Sequence, residues 1–320
     1  MRKVSHNVKA SESAQGVQGL VVKRLVLLLA AATWPGVAGL PAQASTETAS
    51  HPATGQVVSA GQDSPRLAAA RDLIGLALIL RAGVAGGTLA FDASGHLLAG
   101  EPAKQDWTLA GVEVESVSEV NGQQGPAIEM TGFQVATGYN AETHLFERHV
   151  LKSRPLTIRL AEPATPDEVS AALGHMFAVG IDPPLQMAMP AYWLHYFRPN
   201  TDWGKGDLTI PAGAAVAGAG GKPLDPRITR PTVISQKAPG YTEEARLNHV
   251  QGRLLLSLVV DATGKPVHIQ VVRPLGFGLE QKAVEAVAGW RFEPATLDAV
   301  AIPVEIRLEI NMTYVPEPAK

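Results

Sequence analysis

The chain has 320 residues, 46% hydrophobic, 18% charged and 5% aromatic, with 27 basic against 30 acidic side chains and a formal net charge of -3. That is enough apolar material for two ordinary domains or one large one, which excludes disorder throughout. The balanced charge, with no block of five like charges, excludes a nucleic-acid binder that works by neutralising phosphates, and the absence of cysteine excludes disulfides, thiolate metal sites, thiol catalysis and a lipidated N-terminal cysteine.

Lys23-Arg24 precede the apolar stretch Leu25 to Ala32, and a Trp34-Pro35-Gly36 break leads to Ala42-Gln43-Ala44. This is the order of a secretory signal, with cleavage predicted after Ala44. Residues 1–44 are therefore read as a polar leader plus signal peptide, the alternative being an uncleaved anchor; Val21 or Val22 is a candidate true start. The stretch to Leu40 contains Pro35 and falls short of the roughly 20 apolar residues that a spanning helix needs. The predicted location is the periplasm, either soluble or tethered to the inner membrane by the uncleaved signal.

Residues 45–63 are rich in Ser, Thr, Ala and Gly and are read as flexible. Ser64-Pro65 has the form of an N-cap with proline at the first helical position, and Leu67, Ala70, Leu73, Ile74, Ala77 and Leu78 recur at helical spacing, so a helix is predicted up to Gly83. Four apolar-alternating runs come next, at 107–120, 128–135, 144–150 and 156–160, separated by turn signals, and predict an antiparallel β meander. Thr165-Pro166-Asp167-Glu168 reads as a capping box opening a helix to about Val179. Tyr192, Trp193, Tyr196, Phe197 and Trp203 then cluster within twelve residues, either as a lid on the meander's core or as a partner-binding patch. Residues 64–203 thus form a helix plus β-rich middle domain of unassigned function. Residues 204–230 read as a Gly/Ala-rich linker, long enough to reach roughly 90 Å when extended and to leave the last domain mobile.

The clearest signals lie in residues 231–315, ahead of a short tail, 316–320. Arg253 to Asp261 is a predicted strand, Asp261-Ala262-Thr263-Gly264 a hairpin turn, and Val267 to Arg273 the returning strand. Leu279, Ala283, Val287 and Trp290 share one helical face. After Pro303 the period becomes two, with Val304, Ile306, Leu308, Ile310, Met312 and Tyr314 on one face and Glu305, Arg307, Glu309, Asn311 and Thr313 on the other. The fold class is α+β: short helix, β, β, α, β, a three-stranded antiparallel sheet with helices on one face and solvent on the other. Trp290 and Phe292 are read as core anchors, and Tyr241 as packing at the entry of the short helix.

These residues resemble a known family, the C-terminal domain of TonB, the energy transducer for outer-membrane receptors of Gram-negative bacteria. The resemblance is carried by Ala238-Pro239-Gly240-Tyr241-Thr242-Glu243-Glu244-Ala245-Arg246, Gly252, Val259-Val260-Asp261, Gly264, Leu275-Gly276-Phe277-Gly278-Leu279, Ala286-Val287, Trp290-Arg291-Phe292-Glu293-Pro294-Ala295 and Pro303-Val304. It implies that an extended segment of an outer-membrane TonB-dependent receptor binds by adding a strand to a sheet edge. The last strand is the candidate edge, which makes Ile306, Arg307, Leu308, Glu309, Ile310, Asn311 and Met312, with Pro239 and Tyr241 at the entry, the partner-binding candidates. Trp290, Arg291, Phe292 and Pro294 form the structural family motif. The entry departs from the Gln-Pro-Gln-Tyr-Pro of well-studied transducers, keeping only Pro239 and Tyr241 of it. Leu25 to Leu40 lacks the Ser and His used for coupling, so binding is implied by the resemblance and coupling to the proton gradient is not. A retained N-terminus would add the inner-membrane proton-driven motor proteins as partners. The rival reading is an envelope adaptor or scaffold that uses the same fold to form a homodimer or to bind envelope components without energy coupling.

Other constellations point to nothing catalytic. His144 and His149 lie five apart, on opposite faces of a strand, which does not suit a shared metal. No H-E-x-x-H or G-x-S-x-G occurs, Val216 and Pro223 spoil a phosphate loop at 213–222, and Glu113 and Glu115 suit a solvated strand face. The expectation is a non-enzymatic binding protein with no cofactor, no metal and no nucleic-acid partner.

Overall fold

A computed structural model describes residues 64–98, 105–122, 125–163, 165–199 and 226–314. The predicted signal with Ala44, the lead-in 45–63, Trp203, most of the Gly/Ala-rich stretch and the tail lie outside the described residues.

Helix α1 covers only Pro65–Arg71. The helix predicted up to Gly83 is therefore corrected to a much shorter one: Gly75 takes φ +81°, Ile74 and Leu76 are exposed, and Leu78–Leu80 form strand β1. Strand β2 (Thr88–Phe91) is succeeded by a 3-10 turn at Trp107–Leu109 and by three long strands, β3 (Gly111–Gly122), β4 (Gly125–Asn140) and β5 (Leu145–Ala161). The last of these joins two predicted runs across Pro155, which sits opposite Phe133 next to a register irregularity, a place where a strand tolerates proline. Helix α2 (Pro166–Met176) opens with the predicted capping box, Thr165 Oγ1 accepting from Glu168 N–H and the Glu168 carboxylate accepting from Thr165 N–H, but it stops at Met176 because Phe177–Val179 becomes β6. Helices α3 (Pro183–Ala188) and α4 (Ala191–Phe197) complete the region.

The six strands order as β2-β5-β4-β3-β1-β6. The antiparallel meander expected from the runs between 107 and 160 holds for β3, β4 and β5, whereas β2, ahead of those runs, pairs with β5 in parallel. One face of this sheet packs against α1 and α2, with Leu67, Leu78, Phe91, Ile128, Ile158, Leu160 and Met176 among its fully buried residues. Burying each such side chain contributes roughly 1.5–3 kcal/mol.

The remaining elements are β7 (Thr232–Ser235), α5 (Glu243–Leu247), β8 (Gly252–Val260), β9 (Pro266–Arg273), α6 (Leu279–Ala288), β10 (Arg291–Glu293), β11 (Ala295–Leu297), β12 (Val300–Ile302) and β13 (Val304–Met312). The predicted three-stranded antiparallel sheet is present in the order β13-β8-β9, alongside two small ribbons, β7 with β10 and β11 with β12. The hairpin turn places Gly264 at φ +79°, where a Cβ would stand 1.9 Å from the Phe292 carbonyl oxygen, so only glycine fits. The face away from α6 is less solvated than expected: Ser257, Val259 and Gln270 are buried on it.

The second hydrophobic core is shared. Trp107, Leu109, Ala136, Leu151 and Trp193 of the middle region pack with Leu254, Leu256, Phe277, Leu279 and Ala283 of the C-terminal region, and helix α4 lies against β9. The aromatic cluster is thus core, with Trp193 fully buried and Tyr192, Tyr196 and Phe197 packed around it. It closes the meander and the C-terminal sheet together, which corrects the expected mobility between the two regions. Ile228 and Thr229, read as linker, bridge Leu297 and Thr296. Among the described residues no helix is long and apolar enough to cross a membrane.

Candidate partner-docking edge

Strand β13 pairs with β8 along its whole length, from Val304 opposite Val260 to Met312 opposite Gly252. Its alternation tracks burial: Val304, Ile310 and Met312 are buried, Ile306 and Leu308 half-buried, while Arg307, Glu309 and Asn311 are exposed. On the polar face Ser257 Oγ donates to Glu305 Oε1 at 2.6 Å, and Glu309 accepts from Arg253 at 3.4 Å and Arg273 at 3.1 Å. The exposed pairs of Glu309 set side-chain positions more than they stabilise. Arg307, opposite Ser257, extends into solvent.

The two edges of the sheet differ. Strand β9 has helices α4 and α6 against it; among the described elements, β8 is the one that lies along β13. Alternate residues of β13 therefore turn their N–H and C=O groups away from β8 with no strand to receive them. No proline interrupts the nine residues.

The entry lies at the end of the sheet where β8 begins. Tyr241 hydroxyl donates to the Val250 carbonyl at 3.1 Å, two residues before Gly252, the partner of Met312, and the His249 and Tyr314 rings stack with centroids 4.6 Å apart at that end. Pro239 is half-buried and outside any strand. The Trp290 to Pro294 motif acts from within: Trp290 Nε1 donates to the Lys237 carbonyl at 2.9 Å, Phe292 N–H donates to the Gly264 carbonyl at 2.9 Å, and both rings are buried. Arg291, exposed, and Phe292 pair with β7, and Pro294 is half-buried after them.

Sequence reasoning missed a second constellation, where the middle region meets this sheet. Tyr139 N–H donates to the Leu275 carbonyl, Phe277 N–H to the Thr137 carbonyl, both at 2.9 Å, and Gly278 N–H to Thr108 Oγ1 at 2.8 Å. Beneath them lie two fully buried acids, Asp106 and Glu280. Asp106 Oδ1 accepts from Thr108 N–H and Oγ1, and Oδ2 accepts from Trp193 Nε1 at 2.8 Å and Tyr192 hydroxyl at 3.2 Å. Glu280 Oε1 accepts from Leu275 N–H at 2.5 Å and Gly276 N–H at 2.7 Å, while its Oε2 is buried without a partner. Burial, and then the neighbouring Asp106 charge, raise the Glu280 carboxyl to about 8. The paired glycines of Leu275-Gly276-Phe277-Gly278 were the visible signal for this turn; its docking partner had none.

Among the described residues no group of three or more His, Asp or Glu is placed to hold a metal. His149 instead lies against the Phe277 ring, at 4.9 Å between centroids, and Glu115 pairs with Lys152 at 2.7 Å on the surface.

Residues 237–315 match the family model described as the Gram-negative bacterial TonB protein C-terminal. The C-terminal quarter of this chain matches the TonB C-terminal domain family. The chain is 30% identical over 86 residues to Protein TonB of Vibrio cholerae serotype O1, covering 26% of this chain and 35% of that protein. It thus spans about a third of the curated relative it matches. The solution NMR structure of the Pseudomonas aeruginosa TonB CTD is similar at 18% identity, covering 29% of this chain and 93% of that one, with a TM-score of 0.24, too loose a likeness to carry an argument. In this TonB C-terminal domain the matched segment takes in the entry, the Trp290 motif and all of β13.

Proposed function

We propose that the protein is a periplasmic, non-enzymatic binding protein whose TonB C-terminal domain takes up an extended segment of an outer-membrane TonB-dependent receptor as a fourth strand along β13. The observation that carries this reading is the one-sided pairing of β13, nine residues without proline whose outer side no described element lies along. Main-chain hydrogen bonds then supply affinity and tolerate sequence variation in the receptor segment. The half-buried Ile306 and Leu308 line one side of the slot, and Arg307, with the Glu305 and Glu309 positions beside it, lines the other. A signal cleaved after Ala44 gives a soluble protein, and a retained one gives a tether within reach of the proton-driven motor proteins.

Calorimetric titration of the full-length protein with receptor-derived peptides tests the reading. Saturable binding is expected, with at least a tenfold loss when alternate peptide amides are N-methylated so that they no longer donate. Alternate residues point outward, so of Arg307→Pro and Leu308→Pro only one removes an outward donor, and that one weakens binding without taking a hydrogen bond from β8. Equal affinity for the methylated and unmethylated peptides would sink strand addition.

A further inference from the structure

The docking contact between the middle region and the TonB C-terminal domain has an unusual centre: two buried acids, one from each side. Asp106 precedes the 3-10 turn of the middle region, and Glu280 lies in the first turn of α6. The hydrogen bonds recorded to them come from an indole, a phenol, a hydroxyl and backbone amides, none from a cation. Asp106 accepts two hydrogen bonds at each oxygen, and these favour its charged form. Glu280 has one oxygen, Oε2, buried and bare. Burial raises both carboxyls, and the four hydrogen bonds that Asp106 accepts oppose this at Asp106, so the pair's single proton is assigned to Glu280 and its negative charge to Asp106.

We propose that Asp106 and Glu280 form a proton-gated latch between the middle region and the TonB C-terminal domain, closed while Glu280 keeps its proton and loosened when it loses it. Ionised Glu280 would set a second negative charge beside Asp106 where both acids are fully buried, and separating the two regions hydrates both. The strain falls where the docking is made. Glu280 holds the N–H groups of Leu275 and Gly276, and the same turn supplies the Leu275 carbonyl to Tyr139 and the Phe277 N–H to Thr137.

Other titratable groups surround the pair. Helix α4 contributes Tyr192, Tyr196 and His195; burial, reinforced by nearby acids and by Tyr139, pushes both tyrosines far above their ordinary value, so they stay neutral. Helix α6 contributes Glu285, engaged with Gln281 and Lys282. Strands β4 and β5 contribute Tyr139 and His149, the latter against Phe277. The sign is set by Glu280: its folded value, about 8, lies above its ordinary 4.5, so the docked state holds the extra proton in that window. Docking is then strongest below the ordinary value and weakens as pH rises through the folded one, by up to about tenfold in equilibrium constant per pH unit.

Hydrogen exchange on the full-length protein from pH 5 to 9 tests the latch, with protection factors corrected for the intrinsic pH dependence. Protection of the Tyr139 and Phe277 amides is expected to fall with pH while that of Leu256, inside β8, falls much less. In Glu280→Gln, whose amide mimics the protonated acid, all three stay level; His149→Gln keeps the wild-type response. Wild-type docking amides that ignore pH, an equal fall at Leu256, or an unchanged slope in Glu280→Gln would overturn the proposal. Carboxyl-carbon NMR of the wild type gives a readout that does not depend on any variant folding: a Glu280 midpoint well above 4.5 is expected, and a midpoint near 4.5 would refute the latch.

Discussion

Gly138 and Gly276 face one another in an isolated antiparallel bridge that joins the meander to the TonB C-terminal domain, backbone against backbone. A Cβ on Gly276 would stand 2.1 Å from the Thr137 carbonyl oxygen and 2.8 Å from the Gly138 Cα, and its φ is +84°. Gly276→Ala therefore meets both a backbone collision and a left-handed conformation. The expected loss is at least the roughly 1–3 kcal/mol of such strain, read as a lower thermal midpoint together with faster exchange at Tyr139. Gly75→Ala is the control: φ is +81° but nothing lies within 4 Å, so only the conformational cost of about 1–2 kcal/mol is expected, with the docking amides undisturbed.

Asp106→Asn places an amide donor where the acid accepts on both sides. Either the Thr108 donors or the indole and phenol of Trp193 and Tyr192 then face an N–H instead of an oxygen. Chemical denaturation should show a loss of about 1–3 kcal/mol, with a changed near-ultraviolet tryptophan signal. Unaltered stability would mean that these four hydrogen bonds, all within the middle region, contribute nothing to holding its core in place.

Trp290 separates packing from hydrogen bonding. Trp290→Ala removes a buried indole and should cost about 3–5 kcal/mol. Trp290→Phe keeps most of the packing and gives up only the bond to the Lys237 carbonyl, about 1 kcal/mol. In both, amide exchange at Tyr241 should quicken because the entry segment is no longer stapled, and equal midpoints for the two variants would contradict this division.

On the acid side Asp182 supplies the opposite dependence to Glu280. Burial raises its carboxyl, but the hydrogen bonds from Arg81 and Leu185 N–H and the Arg81 charge outweigh this and hold it below 3.8. A depressed folded value means stability that is present above the ordinary one and lost as pH falls through the folded one. Asp182→Asn should flatten the stability profile between about pH 5 and pH 3 relative to wild type while leaving the alkaline limb unchanged. A parallel downward shift at every pH would mean that the pair contributes nothing through its charge.

The parts of this fold legible in the sequence are those whose partners are near in the chain. The hairpin of β8 and β9 is written in Asp261 to Gly264, and β13 in an alternation that its buried and exposed residues repeat. The α2 start is legible for the same reason, since Thr165 and Glu168 satisfy one another. Leu78-Ile79-Leu80 misled because three consecutive apolar residues, all buried, fit a helix or a strand equally, and what decides is pairing with β3 and β6. Strand β2 is absent from the predicted runs: it is only four residues long, and its parallel neighbour arrives after two intervening strands. The candidate edge was readable as a strand, but that its outer side is left open depends on where α4 lies. Asp106 and Glu280 look like a turn-capping acid and a first-turn helix acid; nothing local marks them as neighbours.

The bond between Thr108 and Gly278 spans 170 positions of the chain. Contacts of that separation are entropically slow to close, whereas the β8–β9 hairpin and the β3–β4–β5 meander need only short loops. Folding should therefore finish with docking, after both sheets exist. Until then Trp107, Trp193 and Phe277 are wet and β9 lacks its helical neighbour, an arrangement prone to association with other chains. The shared core thus shapes refolding yield as well as stability: dilution during refolding should recover more native protein, and isolated residues 231–320 should lose the apolar cover that the middle region provides.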